Sequence, residues 1–328
     1  MSFPRPETPR FTTPPPPERM FDHGDFAAAD LARVKGTTTI TVALPARDEA
    51  ATIGPIVDTL RTRLVEDVPL IDELLVVDDG STDDTAAIAG DAGATVIDAT
   101  AILPEYGPGG KGEALWRSLH ASTGDLIVWC DADIRNFDER FVLGCVGPLL
   151  TRPRLGFVKG FYRRPLSDDG EGGGRVTELM ARPLIATIFP ELDTMVQPLS
   201  GEFGGRRELL EAVPFHRGYA VDLGLLIDLS RRFGVERIGQ VDLGARVHRN
   251  RPLRELGPQA AAILAMALRR AGDTGGAGPG EAPPEAAGPA TLVMRRPEFG
   301  DARIAVGELP PIAAVRAAAR SPRRPVTS

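Results

Sequence analysis

Hydrophobic and polar positions along this chain fall into short apolar runs separated by stretches of helical periodicity. Thr37 to Leu44 is rich in β-branched residues and reads as a strand, stopped by Pro45. Ala50 to Val65 repeats its apolar residues at helical spacing, with Thr52 placed to cap it and Pro55 tolerable in the first turn. Glu73 to Val77 is a second strand ending on Asp78-Asp79-Gly80-Ser81, after which Thr82 and Asp83 start a helix over Asp84 to Gly90. Thr95 to Ile97 is a short third strand. The glycine-rich loop Gly107 to Gly110 leads through Lys111 and Gly112 into a helix from Glu113 to His120. The apolar run Leu126 to Cys130 suits a strand covered on both faces. A helix from about Asp138 to Leu150 and a strand from Leu155 to Tyr162 follow. This alternation predicts an α/β fold, a Rossmann-like, mostly parallel sheet with helices on both faces and right-handed crossovers.

Beyond Arg163 the pattern changes. Ser167 to Gly174 is an acidic, glycine-rich loop, and Arg175 to Phe189 a helix interrupted by Pro183. Gln197 to Gly205 reads as a glycine-punctuated loop, Arg206 to Ala212 as a short helix and Asp222 to Phe233 as an amphipathic one. Arg237 to His248 reads as a strand and Leu253 to Arg270 as an Ala-rich helix. The expected organisation is a flexible lead over 1–36, with at most a short amphipathic helix from Phe21 to Val34. A nucleotide-binding half follows over 37–165, with a second half of the same domain over 166–270. Residues 271–328 are expected to be a disordered linker, Ala271 to Ala290, and a tail of little pattern.

Composition narrows the class. An apolar fraction of 42% supports a sizeable core, and a net charge of −7 leaves no basic tract for nucleic acid. Cys130 and Cys145, the only cysteines, fit buried thiols in a reducing cytosol better than a disulfide framework. No apolar run approaches the length of about 18 residues that a membrane helix needs. The proline-rich beginning lacks the apolar centre of a signal peptide. The expectation is a soluble cytoplasmic protein with no membrane partner.

Candidate chemistry gathers at strand ends, where open α/β sheets bind ligands. Three of them are acidic: Pro45-Ala-Arg-Asp48-Glu49, Asp78-Asp79-Gly80-Ser81 and Asp131-Ala132-Asp133. Two hard carboxylates at Asp131 and Asp133 can hold Mg2+ or Mn2+, which in turn can grip a diphosphate. Asp is also a common turn residue, so spacing alone leaves an acidic turn and a metal clamp equally open. Gly174-Arg175-Val176-Thr177 offers an anion site, with a glycine turn at a helix N-terminus and an Arg able to grip a phosphate or carboxylate at two points.

Val42-Ala-Leu-Pro-Ala-Arg-Asp-Glu, Val76-Val-Asp-Asp-Gly-Ser and Cys130-Asp-Ala-Asp together resemble the nucleotide-sugar half of GT-A fold glycosyltransferases. Gly110-Lys-Gly-Glu, Phe157-Val-Lys-Gly-Phe-Tyr-Arg-Arg-Pro-Leu, Gly172-Gly-Gly-Arg-Val-Thr, Gln197-Pro-Leu-Ser-Gly-Glu and Ala245-Arg-Val-His-Arg-Asn-Arg-Pro-Leu narrow the likeness. From about Thr39 to Leu256 the chain is similar to the retaining glucosyl-3-phosphoglycerate synthase family. The resemblance implies transfer of glucose from UDP-glucose to 3-phosphoglycerate by a metal-dependent homodimer. It implies that Pro45, Ala46, Arg47, Asp48, Glu49 and Asp79 hold uridine, with Lys111, Asp131, Ala132, Leu199, Tyr219, Asp222, Arg246 and Arg251 around the diphosphate and sugar. Asp133 and His248, with Asp131, would hold the metal. Gly174, Arg175, Val176, Thr177 and Asn250 would hold the acceptor, while Lys111, Asp222 and Arg251 would serve the chemistry.

The chain departs from that pattern at three points. It has Asp48-Glu49-Ala50 where the family has Asn-Glu-Glu, Asp78-Asp79-Gly80 where it has Asp-Ser-Gly, and Asp222 in place of a Glu. These bear on donor choice, so a mannosyl-3-phosphoglycerate synthase using GDP-mannose is the nearest alternative. A polyprenyl-phosphate glycosyltransferase and a non-catalytic nucleotide-sugar binder stand further off.

Overall fold

The computed structural model describes residues 16–164, 174–247, 252–272 and 290–320. Its first part is built from β1 (Met20–Asp22), α1 (Ala28–Lys35), β2 (Ile40–Ala46), α2 (Ile53–Arg61), β3 (Glu73–Asp78), α3 (Thr85–Asp91), β4 (Thr95–Asp98), α4 (Lys111–Ala121), β5 (Leu126–Trp129), α5 (Arg140–Thr151) and β6 (Phe157–Arg163). Then come α6 (Arg182–Ile188), β7 (Phe203–Arg206), α7 (Arg207–Leu210), β8 (Phe215–His216), α8 (Val221–Phe233), β9 (Ile238–Ala245) and α9 (Leu253–Gly272). β10 (Ala290–Met294), β11 (Ala302–Val306), β12 (Glu308–Leu309) and α10 (Ile312–Arg320) complete it.

One eight-stranded sheet runs in the order β1-β9-β6-β7-β5-β2-β3-β4. All its pairings are parallel except the two made by β7. Alternation along the strands sorts side chains onto two faces. From β2 and β5, Ile40, Val42, Leu44, Leu126 and Val128 pack with α1, α2 and α5. Ala43, Ile127 and Trp129 point the other way, into a core shared with α4, α8, α9 and α10. Both faces are therefore buried, which is why these strands read as nearly unbroken apolar runs.

The sequence reading and the structure part at three places. Part of the expected lead is folded: β1 adds a parallel edge strand to β9, and Leu31 of α1 is buried in the core. Residues 1–15 lie outside the described residues. Phe203–Arg206, expected as the end of a loop and the first residue of a helix, is the antiparallel strand β7 near the sheet's centre. The tail, expected to have little pattern, forms the hairpin β10–β11, the strand β12 paired with β8, and helix α10. Most of the expected linker, 273–289, lies outside the described residues.

Candidate active site

The sheet order sets β5, β2 and β3 side by side and parallel, so their carboxyl ends share one edge. A cavity of about 360 Å³ opens there. One wall carries Pro45, Ala46, Arg47, Glu49, Asp79, Lys111, Asp131, Ala132 and Asp133. The facing wall carries Gly174, Arg175, Val176, Thr177, Leu199, Tyr219 and Asp222, with Arg246 at the floor between them. Asp79 accepts a hydrogen bond from the Gly110 amide at 3.2 Å and lies 3.8 Å from Arg47. Burial raises its carboxyl above the usual range despite that partner.

Asp48 is the exception among the described expectations. Its backbone takes the left-handed φ of 56°, and its carboxylate turns away from the cavity to accept from the Thr82 amide at 2.7 Å. That contact holds its pKa low and ties the loop after β2 to the loop after β3. Asp48 does not line the cavity. His248, Asn250 and Arg251 lie outside the described residues.

Arg246 organises the floor. Its Nη2 donates to Asp131 Oδ2 at 3.0 Å and to Asp133 Oδ1 at 2.6 Å. Nη1 lies 3.1 Å from Glu202 Oε1 and donates to the Tyr162 hydroxyl at 2.5 Å. Burial alone disfavours the guanidinium's charge, but Glu202, Tyr162, Asp131 and Asp133 outweigh it and raise its pKa. The same logic operates in reverse on Asp131: burial opposes its ionisation, while Lys111 and Arg246 pull its pKa well below the usual carboxylate range. Both carboxylates of Asp131-Ala-Asp133 are thus pre-oriented by one guanidinium. They are hard oxygen donors and suit Mg2+ or Mn2+. Among the described residues no third His, Cys, Asp or Glu joins them.

Lys111 stands at the first position of α4, after the glycine loop. Its Nζ lies 3.3 Å from Asp131 Oδ1 and 3.1 Å from Asp222 Oδ2, joining the two walls. Burial works against its charge, yet the two carboxylates raise its pKa, so it remains an ammonium. Asp222, in the first turn of α8, has 4% of its side chain exposed, with a second ammonium, Lys159 of β6, 3.5 Å from its Oδ1.

A cleft with a metal-ready acidic pair, a lysine at its centre and an arginine at a helical start on the far wall is built for two anionic substrates. The glycosyl transferase family 2 model matches residues 41–213. A glucosyl-3-phosphoglycerate synthase of Mycolicibacterium smegmatis is 48% identical over 260 residues, 78% of this chain and 85% of that one. The chain belongs to this family. Two crystal structures of the Mycobacterium tuberculosis glucosyl-3-phosphoglycerate synthase match it in three dimensions. One, with Mn2+, UDP-glucose and phosphoglyceric acid, has a TM-score of 0.76 at 42% identity, covering 89% of this chain and 96% of the other. The second, with Mg2+ and UDP, has a TM-score of 0.77 at 41% identity, covering 92% and 100%.

Sequence reading missed several cavity residues. Leu256, Gln259 and Ile263 of α9 line it, and their helical spacing already marked one face of that helix. Arg164 and Gly110 line it without any periodic signal. Glu202, Tyr162 and Lys159 lie behind the wall, charged or polar residues inside strands and loops that read as apolar or glycine-rich.

Proposed function

We propose that this chain transfers glucose from UDP-glucose to the 2-hydroxyl of 3-phosphoglycerate, giving glucosyl-3-phosphoglycerate with the donor's anomeric configuration retained. The observation that carries this reading is a single cavity with a nucleotide-type wall of strand ends facing the Gly174–Thr177 turn, joined at its centre by Lys111. The crystallised relative takes UDP-glucose and phosphoglyceric acid.

Pro45 to Arg47, Glu49 and Asp79 receive the uridine. Lys111, charged at neutral pH, stabilises the diphosphate as it departs and cannot act as a base. Asp133 and Asp131, with His248 as the expected third ligand, would hold Mg2+ or Mn2+, which supplies positive charge at the diphosphate. Arg175 and the first-turn amides at Gly174 to Thr177 grip the acceptor's anionic ends. Asp222 meets the sugar with both carboxylate oxygens already beside ammonium groups, so it orients hydroxyls rather than taking a proton. The acceptor oxygen then bonds to the sugar C1 on the face from which the diphosphate leaves. The hydroxyl proton passes to the departing diphosphate oxygen.

The reading includes a homodimer in the cytoplasm. Leu264 and Leu268 of α9 and Val293 of β10 are exposed apolar side chains that support self-association. Purified protein is to be incubated with Mg2+, 3-phosphoglycerate and UDP-glucose or GDP-mannose, with its mass followed by light scattering. Product from UDP-glucose and a mass twice that of the 35.0 kDa chain are expected. Turnover of GDP-mannose alone would refute the donor.

A further inference from the structure

Lys159 sits in the middle of the sheet with 1% of its side chain exposed, where an apolar residue would fold at less cost. Its ammonium lies 4.1 Å above the Phe203 ring and 3.5 Å from Asp222 Oδ1. Neither Lys159 Nζ nor Asp222 Oδ1 has a hydrogen-bond partner among the described residues. The opposite oxygen, Oδ2, meets Lys111 at 3.1 Å on the cavity side. Asp222 is thus gripped from beneath by one lysine and from the cleft by another. Lys159 does not itself reach the cavity surface.

We propose that Lys159 is a positioning residue for the donor sugar, holding the Asp222 carboxylate turned toward the cleft from behind the wall. The proposal rests on the glucosyl-transfer reading above. Three charged groups face the ammonium: Asp222 from α8, Lys111 from α4 and Glu202 just ahead of β7. Burial, with Lys111 adding to it, lowers the Lys159 pKa to about 8 against the pull of Asp222 and Glu202. The grip therefore loosens as pH rises through that value, while Lys111 remains charged.

The test compares UDP-glucose with UDP, which differ by the sugar that Asp222 meets. Lys159→Met keeps the length and removes the charge. With Mg2+ present, calorimetry is expected to show UDP affinity kept within about twofold and UDP-glucose affinity lowered at least about tenfold, the loss of one charge-assisted contact. The donor KM is expected to rise while the acceptor KM holds. The parent is expected to lose kcat/KM for UDP-glucose above about pH 8, and in Lys159→Met that decline is expected to vanish. Phe203→Leu removes the ring beneath the ammonium but leaves its charge, so that decline moves to lower pH. Equal losses for UDP and UDP-glucose in Lys159→Met, or an unchanged alkaline decline, would overturn the proposal. If that variant does not fold, an unmoved decline in Phe203→Leu overturns it alone. Parent protein that makes no product from UDP-glucose would instead overturn the function itself.

Discussion

Asp131 and Asp133 are separate residues that Arg246 makes into one group, with a single Nη2 reaching both carboxylates. A bridging guanidinium fixes two anions at a spacing that free aspartates would resist by mutual repulsion. The wall across the cavity works with one charge against another: Arg175 lines the cavity at the start of a helical segment whose amides add partial positive charge. Replacing Arg175 by Ala is expected to raise the KM for 3-phosphoglycerate by about 10- to 100-fold, the range for a lost charged pair, with the KM for UDP-glucose held within about twofold. Steady-state kinetics with each substrate varied in turn checks it, and a matching rise in both KM values would place Arg175 elsewhere. At this scale the acidic strand ends were legible through their joint occurrence at three strand ends, since any one alone also reads as an acidic turn. Lys159 and Glu202 were not, because nothing local distinguishes a buried, paired charge from a surface one.

Elements matter through how they approach each other. The N-terminus of α4 is pressed against β8 so closely that a Cβ on Gly112 would stand 1.9 Å from the His216 carbonyl oxygen. Glu113, in the first turn of α4, accepts from the Gly218 amide at 3.0 Å and pairs with Arg217 at 3.1 Å, both side chains almost wholly buried. Arg217 in turn donates to the Tyr106 carbonyl oxygen at 2.6 Å. These contacts lock the helix that begins at Lys111 to the segment that carries Tyr219 and leads into Asp222. Glu113→Gln keeps the shape but leaves the Arg217 charge buried without its counterion, at a stability cost of about 3 kcal/mol. A lower unfolding midpoint and a fall in kcat/KM of about tenfold or more for both substrates are expected, since a slight shift in Lys111 affects the diphosphate that departs in the one transition state both substrates enter. Denaturant unfolding and kinetics together check this, and unchanged kinetics in a destabilised variant would confine Glu113 to structure. The loop and helix were readable from glycines and periodicity. β7 was not, because Gly204 sits where a Cβ would come within 2.8 Å of Val128, and a four-residue strand with glycine at its two central positions shows no alternation.

Across the whole molecule the chain closes on itself through a segment whose sequence shows little pattern. Glu308 and Leu309 pair with His216 and Phe215, and Trp116 Nε1 donates to the Pro310 carbonyl oxygen at 2.7 Å. The short strand carries too few alternating positions to announce itself, and its partner is 92 residues away, from 216 to 308. Arg270 of α9 is the clasp, with Nε and Nη2 on the Asp228 carboxylate at 2.7 and 2.9 Å and Nη1 on Glu308 at 2.9 Å. His216 Nε2 meets the same carboxylate at 2.8 Å. Burial works to raise the Asp228 pKa, but His216 and Arg270 outweigh it and lower the value below the ordinary 3.8. A depressed carboxylate contributes its stability above the unfolded-state pKa of about 3.9 and loses it as pH falls through the folded value. Arg270→Met is therefore expected to lower stability by about 3 kcal/mol at pH 7, as for a buried pair broken on one side. The gap between variant and parent is expected to shrink as pH falls below about 4 and through the parent's lower folded value, since a protonated Asp228 no longer gains from Arg270. Denaturant midpoints taken from pH 7 down to pH 3 measure it, and a gap independent of pH would mean that Arg270 holds the closing segment by packing rather than by charge.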